Sequence, residues 1–176
     1  MTAVINQASS NEAREITEVF YQTWLATYPD DIIGVTEDDI RHFYKDPLTD
    51  EGVKKMADNI ATMPANKKLW VAKEGDKIVG VCRVTKSKDG NKLNALYVLP
   101  AYQGRGIGKK LCQQAFQFLG SDQDIFLGVA IYNDQALGFY KKLGFVDTGR
   151  RFSEERFRMK SGALIQEMEM VLKFKT

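Results

Sequence analysis

The sequence predicts one α/β (α+β) domain with a mixed sheet, and three observations support that class. Helical periodicity dominates the first third of the chain, a meander of alternating apolar strands follows, and two strand-to-helix connections come after it. The 176 residues, 44% of them hydrophobic and 27% charged, are enough for one sizeable core. Because no linker, repeat or low-complexity segment interrupts the chain, we expect a single domain over 1–176.

The first third of the chain is expected to hold one short strand and three helices. The strand covers residues 4–7. A Ser-Ser-Asn-Glu capping box then opens an amphipathic helix over 11–27, whose apolar residues recur at helical spacing. Shorter helices are expected over 36–44 and 50–62.

A meander of three strands is expected next, at 69–72, 77–86 and 93–99. A helix over 106–119 then leads to an apolar strand at 124–132. This strand should run parallel to the strand before it, because a helix crosses over between the two.

The last part of the chain predicts a helix over 133–143, ended by Gly144, and two antiparallel strands at 145–152 and 164–174. Together these elements complete a mixed sheet flanked by helices.

Composition narrows the class of protein. No apolar run approaches the ~20 residues of a membrane span, and the N-terminus lacks the basic start and apolar segment of a secretory signal. Cys82 and Cys112 lie in apolar patterns, and with His42 as the one histidine we expect no metal site. We therefore expect a reducing, cytoplasmic location.

Charge is unevenly distributed along the chain. Residues 1–66 carry 12 acidic and 5 basic side chains, a net charge of −7, whereas residues 67–176 carry 11 acidic and 20 basic side chains, a net charge of +9. The two values sum to the +2 of the whole chain. This asymmetry indicates an acidic part and a basic part with different ligands, or a solvated surface with no such role.

The glycine-rich turn at 103–108 predicts an anion site. Its three glycines alternate with other residues, and the free amides at the start of the following helix attract negative charge. The spacing does not fit a nucleotide P-loop, because three residues separate Gly104 from Gly108 and Lys109 is followed by another lysine. It also differs from a dinucleotide fingerprint, whose third glycine comes one residue later. A tight turn without a ligand is the plainer alternative.

A second motif covers residues 133–145. Asn133 lies where a strand passes into a helix, a position suited to a helix cap or a ligand contact. Tyr140 follows seven residues later, and two helical turns place both on one face, offset by about 20°. Taken alone, Tyr140 fits better a packed aromatic side chain whose hydroxyl is satisfied by the backbone.

The two motifs together resemble the signatures of the GNAT superfamily of acetyl-CoA-dependent N-acetyltransferases. The first family motif is matched by Gln103, Gly106 and Gly108, and the second by the Asn, Tyr and Gly-Phe of residues 133–145. The order of elements also agrees with the family. The resemblance implies a mostly antiparallel sheet of about seven strands, with the central parallel strands splayed to admit the cofactor.

The resemblance also implies residue roles. Residues 67–176 would form the cofactor-binding core and residues 1–66 the acceptor side. Acetyl-CoA would be the cosubstrate, with its pantetheine arm along the strand before the turn and its pyrophosphate on the turn. The residues implied in cofactor binding are Leu96, Tyr97, Val98, Gln103, Gly104, Arg105, Gly106, Ile107, Gly108, Lys109, Asn133 and Lys142.

Tyr140 is the catalytic residue that the resemblance implies, as the donor of a proton to the departing thiolate. A strand amide near Val98 would stabilise the developing oxyanion. The general base stays open: the strand before the turn has no carboxylate, which leaves water linked to Asp30 or Asp31, or His42, as candidates. Cys112 is a poor candidate for an acetylated nucleophile, so direct transfer is preferred.

The acceptor is expected to be a cationic small-molecule amine. Trp24, Tyr28, Asp30 and Asp31 are the predicted substrate residues, because this stretch resembles the bacterial polyamine acetyltransferases and its acids suit a cation. Peptide or protein amines, and a non-catalytic acyl-CoA sensor, are the alternatives. We expect no membrane or nucleic-acid partner, and a homodimer is left open.

Overall fold

The computed structural model describes residues 3–174 and contains a seven-stranded sheet flanked by helices. Residues 1–2 and 175–176 lie outside the described residues, as do the ends of the predicted domain. The strands in chain order are β1 (Val4–Gln7), β2 (Lys67–Glu74), β3 (Lys77–Thr85), β4 (Asn91–Val98), β5 (Ile125–Ala130), β6 (Val146–Phe152) and β7 (Glu167–Leu172). Their order across the sheet is β1-β2-β3-β4-β5-β7-β6.

The five α-helices are α1 (Ala13–Thr27), α2 (Glu37–Phe43), α3 (Asp50–Ala61), α4 (Ile107–Leu119) and α5 (Asp134–Lys142). Every predicted helix and strand is present, and the bounds differ by a few residues. The largest difference is β7, which begins at Glu167, because residues 158–166 form turns and bends around Met159 and Ile165 before the strand starts.

Helices cover both faces of the sheet because strand side chains alternate between the faces. On one face α4 packs Leu111 and Ala115 against strand residues that include Val79. On the other face α1 packs Ile16 and Val19 against a set that includes Val71 and Val81. A third cluster around Trp24 joins α1 and α2 to the chain between β6 and β7.

The central strands β4 and β5 are parallel and separate soon after they meet. Only Asn91↔Ile125 and Lys92↔Phe126 are paired between them among the described residues. All other strand pairs in the sheet are antiparallel. This confirms the predicted mixed, mostly antiparallel sheet of seven strands with splayed central strands. Beyond Lys92 a gap opens in the middle of the sheet.

Candidate functional site

The gap between β4 and β5 widens into a cleft of about 1090 Å³. The glycine turn and the start of α5 border one end of it, and aromatic residues of α1 and α2 border the other. Both sequence motifs therefore meet at one cavity, although 24 residues of α4 and β5 separate the end of the turn from Asn133.

The edge of β4 that faces the cleft has free backbone groups. The Leu99 amide donates to the Val79 carbonyl at 2.9 Å on the β3 side. Successive residues in a strand direct their backbone N–H and C=O groups to opposite edges. Because those of Leu99 point to β3, the backbone groups of Leu96 and Val98 point to the gap. The Val98 carbonyl accepts a hydrogen bond from the Gln103 side chain at 2.9 Å. This edge can accept an extended ligand in the manner of an added strand.

The glycine turn is shaped as the sequence indicated. Gly104 and Gly106 have φ values of 74° and 78°, which favour glycine, and a Cβ at either would meet nothing within 4 Å. The first bond of α4 runs from the Lys110 amide to the Gly106 carbonyl at 3.1 Å. The amides that precede Lys110 thus lie at the positive end of the helix, open to an anion.

Two basic side chains of the turn behave differently. Lys109 is exposed and borders the cleft. Arg105 turns back instead: its guanidinium donates to the Ala101 carbonyl at 2.8 Å, stacks 5.0 Å from the Tyr102 ring and lies 3.6 Å from the Glu74 carboxylate. The Arg105 side chain does not line the cleft, although its backbone is part of the turn.

Asn133 caps α5 and joins the cleft wall. Its side-chain oxygen accepts the Ala136 amide at 3.0 Å, which leaves the side-chain NH₂ group toward other partners. Gln135 donates to the Gln103 side chain at 2.9 Å and so ties α5 to the turn. Lys142 is exposed at the far end of α5 and does not line the cleft.

Tyr140 is buried, with 8% of its surface exposed, and lines the cleft. Its hydroxyl makes no hydrogen bond with the described residues. A buried tyrosine with a purely structural role usually has its hydroxyl bonded to another protein group. Burial raises the pKa of Tyr140 well above its ordinary value, so the group stays protonated. The nearby Cys112 thiol is also buried, and burial raises its pKa to about 12, which disfavours a thiolate there.

The opposite end of the cleft is aromatic. Trp24 and Tyr28 line it, and the Tyr28 hydroxyl lies 3.0 Å from the Tyr97 hydroxyl. Burial raises the pKa of both tyrosines. Trp24 is 5% exposed, and its indole N–H lies beside the Tyr97 hydroxyl without reaching full hydrogen-bond geometry to any acceptor in residues 3–174.

The acidic residues of the N-terminal third do not reach the cleft. Asp30 accepts the amides of Ile32 and Ile33 at 2.9 and 3.1 Å, which closes the loop after α1. Asp31 is exposed on the same loop, and neither aspartate lines the cleft. His42 is likewise exposed and outside the cleft lining.

A carboxylate that sequence reasoning missed lies in the cleft, on β7. Glu167 pairs across the sheet with Ala130 and is partly buried. Gly128 provides the space, since a Cβ there would lie 3.1 Å from the Glu167 carboxylate oxygen. Burial and the neighbouring Glu154 carboxylate raise the pKa of Glu167 to about 7, and Arg156 opposes that rise. Its side chain makes no hydrogen bond or ion pair with the described residues.

Three arginines also line the cleft: Arg83, Arg150 and Arg156. Arg83 extends from β3 opposite Ala95. Arg156 forms an ion pair with Glu154 and stacks 4.5 Å from the Phe157 ring. The end of the cleft opposite the glycine turn is thus lined by residues of the C-terminal third as well as by residues of 1–66.

No helix within 3–174 has both the length and the apolar character to cross a membrane. No group of three or more histidine, cysteine or acidic side chains in the same range is arranged to hold a metal ion.

Comparison with known proteins agrees with this geometry. Residues 65–147 match the model of the acetyltransferase (GNAT) domain. The peptidyl-lysine N-acetyltransferase YjaB of Escherichia coli is 34% identical over 106 residues, which cover 60% of this chain and 67% of that protein. The YjaB protein of Salmonella typhimurium is 40% identical over 83 residues, which cover 47% of this chain and about half, 52%, of that protein.

A solved structure shows the same fold over the whole length. The PaiA N-acetyltransferase of Thermoplasma acidophilum, crystallised with coenzyme A, superposes with a TM-score of 0.77 at 19% identity, covering 99% of this chain and 100% of that one. The family model, the E. coli relative and the splayed sheet with its two motifs lead to one conclusion: this chain belongs to the GNAT family of acetyltransferases.

Proposed function

We propose that the protein transfers an acetyl group from acetyl-CoA to a primary amine by direct attack in a ternary complex. One observation carries the proposal: the cleft between β4 and β5 brings the glycine turn, the free strand edge and the unpaired Tyr140 hydroxyl to one place. The GNAT membership gives the class of reaction, and the cleft gives the residues.

The chain offers a fitting cradle for coenzyme A. The edge at Leu96 and Val98 suits the amide groups of a pantetheine arm, and the open amides of the turn suit a pyrophosphate. Lys109 adds a positive charge beside the turn. The Asn133 side chain, held by its cap, presents its NH₂ group to the same arm. Arg105 and Lys142 have no side-chain role in this proposal.

Acetyl-CoA supplies an activated acyl group and a thiolate as leaving group. Tyr140 is suited to protonate that thiolate, because burial keeps the phenol protonated and no residue in 3–174 hydrogen-bonds to its hydroxyl. The backbone amide of Val98 is the proposed donor to the developing oxyanion. The buried Cys112 has no role, which supports direct transfer.

Glu167 is the proposed general base. An alkylamine arrives mostly protonated and must lose a proton before it can attack. A carboxylate with a pKa of about 7 is well matched to that task near neutral pH. Glu167 lies in the cleft without a hydrogen-bonding partner among the described residues, so its oxygens are available to the amine or to an intervening water. Asp30, Asp31 and His42 are less suited, because they lie outside the cleft lining.

The acceptor class has two named candidates. The first candidate is a polyamine, and this prediction depended on the acidic N-terminal region. In the structure Asp30 hydrogen-bonds within its own loop and Asp31 is exposed, so neither supports a polyamine site in the cleft. The relatives in E. coli and S. typhimurium are named peptidyl-lysine acetyltransferases. A non-catalytic acyl-CoA sensor is a further alternative, but it has no need of Glu167 or of a partnerless Tyr140.

The test is thiol release from acetyl-CoA with a panel of amines: spermidine, lysine peptides and amino acids. Acetylation of any amine above the rate of acetyl-CoA hydrolysis supports an enzyme. Tight coenzyme A binding without transfer to any amine would instead favour the sensor.

A further inference from the structure

The acceptor half of the cleft contains an arginine with no partner, and this arginine indicates the chemistry of the acceptor. We propose that the acceptor carries a carboxylate close to its primary amine, and that Arg83 binds that carboxylate. The inference rests on the proposed acetyltransferase function and specifies its second substrate as a class that differs from both the polyamine and the peptidyl-lysine named above. The acceptor would then be an amino acid or a similar zwitterion.

The environment of Arg83 is energetically unfavourable for a charged side chain. It is partly buried on a central strand and lines the cleft. It forms no hydrogen bond and no ion pair with any residue in 3–174. A guanidinium withdrawn from water without an anionic partner is destabilising, so a strand would not retain one there without a compensating role.

The surroundings of Arg83 do not supply it with an anion. Burial lowers the pKa of Arg83, the neighbouring Tyr97 and Tyr44 side chains oppose that fall, and the positive charge of Arg156 adds to it. The other two arginines of the cleft are satisfied, Arg150 by Glu169 at 2.8 Å and Arg156 by Glu154. Arg83 is thus the cleft arginine that has no anionic partner among the described residues, and a carboxylate of the ligand would supply one.

A second donor of the same cleft is weakly satisfied. The indole N–H of Trp24 is buried and reaches no acceptor in full hydrogen-bond geometry among the described residues, although the Tyr97 hydroxyl lies beside it. A carboxylate oxygen is a stronger acceptor for that N–H than a phenol oxygen, whereas a protonated polyamine offers no acceptor. A protonated polyamine would therefore leave Arg83 without a partner.

Arg83 and Glu167 flank the gap in the sheet from opposite sides. Arg83 pairs with Ala95 of β4, three residues beyond the last β4–β5 pair, and Glu167 pairs with Ala130 of β5, four residues beyond it. Both side chains line the cleft. Three strand spacings, about 14 Å or more with the splay, separate their backbones, so the two side chains can hold a small ligand between them. We expect that ligand to place its amine toward Glu167 and its carboxylate toward Arg83.

The test compares amines that differ only in the carboxylate. Amino acids are assayed beside their carboxamides and their decarboxylated amines, with spermidine included. We expect kcat/KM to be higher for the acid member by about 10- to 100-fold, the range of one charge-assisted hydrogen-bonded pair. Arg83→Gln should abolish this preference, whereas Arg83→Lys should retain part of it. Equal rates for acid and carboxamide, or a preference for spermidine, would overturn the proposal.

Two controls separate this inference from folding and from the proposed function. Arg151→Gln removes an exposed guanidinium outside the cleft lining and should leave the preference intact. If Arg83→Gln lowers the rates of acid and carboxamide equally, Arg83 is structural and the inference fails. Calorimetric binding of the same pairs to the coenzyme A complex reports the preference even without turnover. A carboxylate preference in binding without acetylation would then reject the enzyme and keep the anion site.

Discussion

The side-chain amide of Gln135 donates to the side-chain oxygen of Gln103 at 2.9 Å. The Gln103 side chain in turn donates to the Val98 carbonyl at 2.9 Å. This chain of two hydrogen bonds runs from the start of α5 through the glycine turn to the end of β4. It fixes the relative positions of the three elements that surround the proposed coenzyme A site, so the site is organised before any ligand arrives.

Substitution of Gln103 should therefore weaken coenzyme A binding without removing any direct charge contact. Gln103→Ala loses both hydrogen bonds and frees the turn from β4 and α5. We expect the Kd for coenzyme A to rise about three- to tenfold, which corresponds to one or two neutral hydrogen bonds. Calorimetry measures this, with Gln113→Ala on the exposed side of α4 as the matched control. An unchanged Kd for Gln103→Ala would show that the link does not organise the site.

Loss of the Tyr140 hydroxyl should slow the chemical step and little else. Tyr140→Phe is expected to lower kcat by about 100-fold or more, the range of general acid catalysis. The Kd for acetyl-CoA and the Tm should change little, because the hydroxyl has no hydrogen-bond partner within residues 3–174. Steady-state kinetics, calorimetry and thermal melting give the three readouts. Tyr21→Phe, outside the cleft lining, should behave as the wild type. A Tyr140→Phe enzyme with unchanged kcat would remove Tyr140 from the mechanism.

Local patterns explain why much of the fold and half of the site could be predicted. The glycine turn and the Asn133 cap are set by residues adjacent in sequence, and the structure has both. The parallel placement of β5 followed from the crossover helix. These features depend on backbone conformation and short spacing, which a sequence displays directly.

The residues of the proposed acceptor side could not be predicted in the same way, because they come from strands that are far apart in the sequence. Glu167 and Arg83 interrupt apolar strands, and a charged residue in such a strand is ordinarily assigned to the solvent face. Only the gap between β4 and β5 turns that face into a cleft. The prediction for Asp30 rested on charge alone, and the structure places this aspartate in its own loop, where it accepts the amides of Ile32 and Ile33.

Removal of the Glu167 carboxylate should change the pH dependence of the reaction. In the wild type the base acts only when ionised, so kcat/KM should rise with pH through an apparent pKa of about 7. Glu167→Gln should lower kcat/KM at pH 8 by about 100- to 10,000-fold and lose that rise. Glu169→Gln is the matched control, since Glu169 lies two residues along β7 and is paired with Arg150 at 2.8 Å. The Glu169→Gln variant should keep the increase of kcat/KM with pH. If Glu167→Gln also kept that increase, the general base would be another group.

The same carboxyl should leave a signature in stability. The pKa of Glu167 rises in the folded protein from its ordinary 4.5 to about 7, so folding favours the protonated form. Its contribution to stability is therefore fully present below pH 4.5 and is lost as the pH rises through 7. Glutamine has nearly the same shape and no charge, so the Tm of Glu167→Gln relative to wild type should be higher at pH 8 than at pH 5. Thermal melts at the two pH values measure this, and an equal Tm difference at both would mean that Glu167 ionises in the fold as it does in water. Ionisation of Glu167 therefore destabilises the fold, and its side chain has no hydrogen-bonding or ionic partner in residues 3–174. Both properties fit a general base whose partner is the substrate amine.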